Sequence, residues 1–393
     1  MQSSERKPNT RSFFGAASKP GKTVIHRVLG GVDKRFLLTV ILLVCFGSVM
    51  IFSAGHVYAE KYFGDSFYFV KRQFVFALIG IGAMILFANI DYALLKRYAL
   101  PIFAVSYVLL LLVLIPGVGV TSKGATRWLA IGPLQFQPSE IAKFSLILLL
   151  AAYFSRVSEK TAKFKFGIFF PALMTLSVCF ATVLEKHMSG TIIIFLIGAC
   201  MIFLSGADIK WLGAIGGTFA AGALGIILFT DYTKNRIEAW LHPESDLLGK
   251  GWQPYQSLLS IGSGGLLGVG LGNSYQKQLW LPEPQNDFIF AIICEELGLI
   301  GAVALIALFI TLIRRGFIIA KRAPDTFSSL LAAGLTAKVG IQAILNIAVV
   351  TASIPTTGIA LPFFSYGGSA LVMQLMEMGI ILSISRYSRK QEL

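Results

Sequence analysis

Phe36-Leu37-Leu38-Thr39-Val40-Ile41-Leu42-Leu43-Val44-Cys45-Phe46-Gly47-Ser48-Val49-Met50-Ile51-Phe52-Ser53-Ala54 carries no charged side chain. As a helix it is long enough to cross the hydrocarbon of a bilayer, where only a helix or a closed barrel can satisfy the backbone. Runs of the same kind recur, giving ten spans at about 36–54, 73–90, 98–115, 138–154, 167–184, 189–205, 211–229, 287–313, 329–352 and 367–385. The whole chain agrees, with 55% hydrophobic residues, 14% charged and a mean hydropathy of +0.73, too apolar for a soluble domain. The expected fold is therefore an all-α polytopic membrane protein: ten transmembrane helices, with a large extracytoplasmic loop between helices 7 and 8 at about 231–286.

Charge sets the orientation. With the N-terminus inside, the cytoplasmic segments hold 22 of the 34 Lys and Arg, so the positive-inside rule places both termini in the cytoplasm. The net charge of +14 then reflects topogenesis and anionic headgroups, and no nucleic-acid partner is expected. Residues 1–35 read as a basic, disordered cytoplasmic tail without the apolar core of a signal peptide, 36–388 as the membrane domain and 389–393 as a short cytoplasmic tail. Cys45, Cys179, Cys200 and Cys294 fall in apolar runs as small core residues, with neither a disulfide nor a metal cluster expected.

Polar clusters gather on the outer face. Before the fourth span stand Gly124-Ala125-Thr126-Arg127-Trp128 and Gln137-Pro138-Ser139-Glu140-Ile141-Ala142-Lys143. Pro138 suits a first helical turn, and Glu140 and Lys143 share one helical face, either toward a polar cavity or as a packing ion pair. Glu185-Lys186-His187 separates the fifth and sixth spans. In the large loop, Arg236, Glu238, Trp240 and His242 alternate with apolar residues, which suits a helix in the headgroup zone or a solvated connector. The glycines of Gly262-Ser263-Gly264-Gly265-Leu266-Leu267-Gly268-Val269-Gly270-Leu271-Gly272 fit no nucleotide loop; they permit a tightly packed re-entrant backbone or amides that approach a phosphate.

Leu281-Pro282-Glu283-Pro284-Gln285-Asn286-Asp287-Phe288-Ile289-Phe290 leads from that loop into the eighth span, and Leu361-Pro362-Phe363-Phe364-Ser365-Tyr366-Gly367-Gly368-Ser369 leads into the tenth. Asp287 either caps its helix or does chemistry. Without a thiol pair or a Ser/His/Asp set, what remains is a carboxylate with cations. That combination suits transfer away from a phosphate leaving group, the cations holding a diphosphate while the carboxylate takes a proton from an attacking hydroxyl.

Those four motifs, with Glu295-Glu296-Leu297-Gly298, resemble the SEDS family of shape, elongation, division and sporulation proteins over residues 36 to 388. Within the family, Gly272-Asn273-Ser274 followed by Leu281-Pro282-Glu283-Pro284-Gln285 looks closer to the division and sporulation branch (FtsW and SpoVE) than to the rod-elongation branch (RodA). The resemblance implies a bacterial cell-membrane enzyme with its active face extracytoplasmic. Such an enzyme polymerises lipid II into glycan strands, releases undecaprenyl diphosphate and works with a class B penicillin-binding protein and other division or sporulation proteins. It also implies that Asp287 is the catalytic residue, that Arg127 and Trp128 belong to the active region, and that Glu140 and Lys143 line a central cavity.

Lys186, Glu283, Gln285, Ser365 and Ser369, in the same outer loops, complete the candidate substrate-binding set, and Arg127, Lys143 and Lys186 are candidates to stabilise the departing diphosphate. A divalent cation such as Mg or Mn could share that work with Asp287 or Glu283 as oxygen ligand; no organic cofactor is expected. Two other functions fit parts of the pattern. A lipid II flippase would use the same spans and charges, although the polar motifs concentrate on one face. A scaffold for the transpeptidase would use small-residue faces such as Gly80, Gly82 and Ala83 or Ala332, Ala333 and Gly334, which serve internal packing equally well.

Overall fold

A computed structural model describes residues 30–122, 125–132, 134–208 and 251–387, with 210, 213, 217, 240, 241, 244 and 249 between them. The seventh span, most of the 236–242 stretch and most of the N-terminal tail lie outside the described residues.

Eight described helical spans are long and apolar enough to cross a membrane: α1 (Lys34–Phe63), α2 (Tyr68–Asn89), α3 (Tyr92–Val113), α4 (Pro138–Arg156), α5 (Phe170–Leu184) together with the π-helical turn Lys165–Phe169 before it, α8 (Ile289–Lys321), α9 (Thr326–Val350) and α10 (Gly368–Arg386). The apolar α6 (Met188–Leu204) is shorter, and α7 (Trp252–Ser263) lies in the large loop. With α6, the eight match nine of the ten expected spans. Local chemistry sets the helix ends. Asp33, Asp91 and Asp325 accept from backbone amides at the starts of α1, α3 and α9. Gly64, with φ 68°, ends α1 in the left-handed region. At thirty residues α1 runs well past its expected end, and its last turns carry Tyr58, Tyr62 and Phe63, which pack with Tyr68 and Phe69 as an aromatic belt.

Burial separates inner helices from lipid-facing ones. α2 packs on α10, α3 on α4, α5 on α6 and α8 on α9. α2 and α3 leave Phe74, Leu78, Ile85, Leu100, Val105 and Val108 exposed, as helices bathed in lipid do, whereas α4, α9 and α10 are largely buried. Small residues serve the inner contacts: a Cβ on Gly80 would strike the Leu375 side chain, and one on Gly334 would meet Met201 and Ile147. The N-terminal end of α1 meets the C-terminal end of α10, where the Gly30 amide donates to the Arg386 carbonyl at 2.8 Å. Both lie at one end of the bundle, and the alternation of helices puts the polar loops at the other.

Two features of that second end were not legible in sequence. Residues expected to form only loop build an antiparallel sheet of β1 (Gly119–Ser122), β2 (Ala125–Ile131) and β3 (Leu134–Phe136), in that order. Its register passes from Val120 opposite Trp128 to Thr121 opposite Thr126, which makes Arg127 the extra residue of a β-bulge. A bulge re-aims the side chain it carries.

The second feature explains the glycine-rich segment. α8 breaks at Gly298 (φ 65°, ψ −165°), freeing backbone groups that must find other partners. The segment after α7 supplies them. Val269 and Gly270 amides donate to the Glu295 and Glu296 carbonyls at 2.9 and 3.0 Å, and Leu299 and Ile300 amides donate to the Gly265 and Leu266 carbonyls at 3.0 and 3.3 Å. The glycines therefore serve close packing of backbone on backbone. Gly268 has φ 80°, and a Cβ there would run into the Glu296 carbonyl. Gly268→Ala is expected to destabilise the protein by at least about 1–2 kcal/mol from the left-handed backbone alone, read as a lower midpoint in thermal unfolding in detergent.

Candidate active site

Asp287 stands where two loops meet. Residues 281–283 are bends and 284–288 turns, and α8 begins after Phe288, an N-cap residue with no side-chain cap, so the helix start does not depend on Asp287 as its cap. Facing it is the loop between α9 and α10. Gly358 lies so close that a Cβ there would come 2.9 Å from Asp287 Oδ2. The Ser365 hydroxyl donates to the Asn286 carbonyl (2.7 Å) and accepts from the Leu361 amide (2.7 Å), while the Tyr366 amide donates to the Gln285 carbonyl (2.9 Å). Ser365 thus joins the two loops. Glu283 accepts from Asn286 Nδ2 at 2.9 Å, and Gln285 is buried with Oε1 unpartnered among the described residues. Ser369 lies half-buried in the first turn of α10.

Strain concentrates at this end. The described non-glycine residues with positive φ are Lys186, Leu279, Glu283, Ala352 and Phe363, all in the loops at this end of the bundle. Such conformations persist where the surrounding structure enforces them, and they cluster at functional sites.

A second polar group lies beside the sheet. Arg127 and Trp128 are half-buried on β2, and Lys186 is exposed. Glu185 is buried with neither carboxyl oxygen partnered among the described residues, and Arg127 Nε and His187 Nδ1 are likewise buried and unpartnered. Burial pushes Glu185 up to about 8, the Arg127 guanidinium opposing it. Burial holds His187 down to about 3, helped by the charges of Arg127 and Lys143, so it is neutral. Between pH 4.5, the ordinary value, and about 8 the folded state keeps a Glu185 proton that the unfolded chain releases. Stability should therefore fall as pH rises through that window, by up to about 1.4 kcal/mol per pH unit. Glu185→Gln is expected to flatten that slope in thermal unfolding measured from pH 5 to 8.5.

Deeper in the bundle, Lys143 Nζ donates to Glu140 at 2.6 Å, as the i, i+3 spacing predicts. The same cluster holds Lys338 of α9, 2.6 Å from Glu377 of α10 and 3.9 Å from Glu140. Two cations and two carboxylates from α4, α9 and α10 thus neutralise one another inside the membrane domain.

Over residues 33–390 the chain matches the FtsW/RodA/SpoVE family, described as cell cycle protein. It belongs to that family. The chain is 43% identical to stage V sporulation protein E of Bacillus subtilis (strain 168), covering 91% of this chain and 98% of that one. It is 40% identical to a probable peptidoglycan glycosyltransferase FtsW of Geobacter sp. (strain M18), covering 92% and 99%. Among solved structures, a chain from a peptidoglycan synthase complex that coordinates polymerization and crosslinking superposes with a TM-score of 0.75 at 28% identity, covering 90% of this chain and 98% of that one. The rod shape determining protein RodA of Thermus thermophilus gives 0.67 at 28% identity, covering 92% and 98%.

Within this FtsW/RodA/SpoVE chain, one helix connects the two polar regions. Asn346 of α9 bonds the Asp287 carbonyl, and Lys338 lies eight residues earlier on that helix, about 12 Å along its axis. Glu185 and His187 lie in a polar cluster the sequence marks without a role for them, and Asn346, Lys338 and Glu377 were not among the expected site residues. A polar residue inside an apolar run was the available signal for Asn346, Lys338 and Glu377.

Proposed function

We propose that this chain is a multi-pass peptidoglycan glycosyltransferase of the bacterial cell membrane, with both termini cytoplasmic. It polymerises lipid II on the extracytoplasmic face and releases undecaprenyl diphosphate, in cell division or sporulation, beside a class B penicillin-binding protein. The observation that carries this reading is the placement of Asp287: half-exposed, against Gly358, at the end of the bundle where the polar loops gather. Asp287 takes the proton of the acceptor sugar's 4-hydroxyl while that oxygen bonds to the donor's anomeric carbon. The bond from that carbon to the diphosphate breaks, and attack opposite the leaving group converts an α-linked donor to a β-1,4 link.

Of the cations proposed for the diphosphate, Arg127 and Lys186 suit it best, since Lys143 is committed to Glu140. Trp128 lies next to Arg127 on β2, and Gln285, Glu283, Ser365 and Ser369 border the Asp287 loops.

A divalent cation fits the donors present, though no group of three or more His, Cys, Asp and Glu assembles among the described residues. Gln285 Oε1 and Thr357 Oγ1 are buried and unpartnered among the described residues, and with Asp287 or Glu283 they would offer hard oxygen donors of the kind Mg or Mn takes alongside substrate phosphates. Bound there, the ion would neutralise diphosphate charge. Chelation by EDTA is expected to lower the polymerisation rate by at least about tenfold, Mg or Mn restoring it, on the scale of a lost electrostatic stabiliser.

The buried Glu140–Lys143–Lys338–Glu377 cluster favours a second reading, transport of the lipid II headgroup through the bundle. Reconstitution of the full chain with its class B partner and lipid II separates the two. Long glycan strands support the polymerase; lipid II crossing between leaflets without strands would replace it with a flippase.

A further inference from the structure

Asn346 is fully buried, at 0% exposure, in the outer half of α9. Its Nδ2 donates to the Asp287 carbonyl at 2.7 Å and to the Ile359 carbonyl at 2.6 Å. Both hydrogens of one amide are thus committed, one to each of the two loops that face each other at Asp287. These loops lack a regular ladder at that point. Residues 284–288 are turns, and residues 355–361 carry no helix or strand. The Ile359 amide bonds only to Thr357 within its own loop, at 2.9 Å.

Two further bonds join the loops beside Asp287. Ser365 and Tyr366 reach Asn286 and Gln285, fixing the approach to Asp287 without touching Asp287 itself. Asn346 fixes the Asp287 backbone from a rigid helix and holds the following loop at Ile359, so that Gly358 stays against the carboxylate.

We infer that Asn346 is a positioning residue for Asp287, holding its carbonyl so that the carboxylate is aimed at the acceptor hydroxyl. The inference rests on the reading of Asp287 as general base and adds a residue that acts through it. The physical requirement is steep, because a misplacement of about 1 Å at a reacting group lowers rates by about 100-fold. Removing the amide takes one donor from the Asp287 carbonyl and one from the Ile359 carbonyl and loosens both loops locally, while the Ser365 and Tyr366 bonds keep them docked.

The test compares the full chain, with its class B partner in liposomes, as wild type, Asn346→Ala and Asn346→Ser. Polymerisation kinetics on lipid II are measured together with thermal midpoints and amide hydrogen exchange over residues 283–288 and 355–361. The expected result is a folded Asn346→Ala with kcat down by about 10- to 100-fold, KM within about threefold because binding groups are untouched, and faster exchange confined to the two loops. Asn346→Ser, keeping one donor, should lie between Asn346→Ala and wild type. A folded Asn346→Ala with wild-type kcat, or a loss confined to KM, would overturn the inference. So would failure of both variants to fold, which would make Asn346 a folding determinant. An inactive wild type would instead overturn the glycosyltransferase reading beneath it.

Discussion

Asp287→Ala is expected to abolish glycan-strand formation from lipid II while the protein remains folded and bound to its partner. A general base contributes about 10²–10⁴ to a rate, so residual polymerisation should fall by at least about 100-fold. The fold should tolerate the change because the carboxylate is half-exposed and the start of α8 relies on no side-chain cap. Asp287→Asn sharpens the test, since the amide keeps the shape of the side chain but cannot take the acceptor's proton. Both variants inactive, with thermal midpoints near that of wild type, is the expected pair of results. Wild-type rates in Asp287→Asn would remove the base role and leave Asp287 as a binding or ion-holding group. Gly358 offers a graded control: Gly358→Ala places a methyl 2.9 Å from Oδ2 and should slow the reaction without removing the carboxylate.

What could be read in advance divides along a physical line. Spans are local, because each apolar run must satisfy its own backbone in lipid, and nine of the ten lie among the described helices. Glu140 and Lys143 were equally accessible, since i, i+3 spacing on one helix makes a pair wherever that helix sits. Lys338 and Glu377 are 39 residues apart on different helices, and only the packing of α9 beside α10 shows that they neutralise each other. The bulge at Arg127 depends on register between short strands, which a polar loop sequence scarcely marks. The glycine-rich segment invited two explanations. Its solution, filling the break at Gly298, needed the position of a helix about thirty residues away.

The second large effect lies at that break. Lys277 and Glu296 are both 0% exposed and 2.7 Å apart. Glu296 also accepts from the Ser53 hydroxyl of α1, which ties the loop before Asp287 to two membrane helices. Its neighbour Glu295 accepts from the Ser260 and Ser274 hydroxyls at 2.9 and 2.6 Å and from the Tyr275 amide at 2.8 Å. These two adjacent acids therefore organise the backbone of residues 274–277. Lys277→Met leaves Glu296 as a buried charge without its cation, a change that costs about 3–5 kcal/mol in comparable pairs. A large fall in thermal midpoint is expected, with activity lost in proportion to the folded fraction. Lys277→Met combined with Glu296→Gln removes the isolated charge and keeps an acceptor for Ser53, so it should recover much of the loss. The Lys277–Glu296 pair would then be coupled, one partner tolerable only with the other. Equal destabilisation in the single and double variants would mean that the loop is held by Glu295 and its hydroxyl and amide donors, with the ion pair adding little.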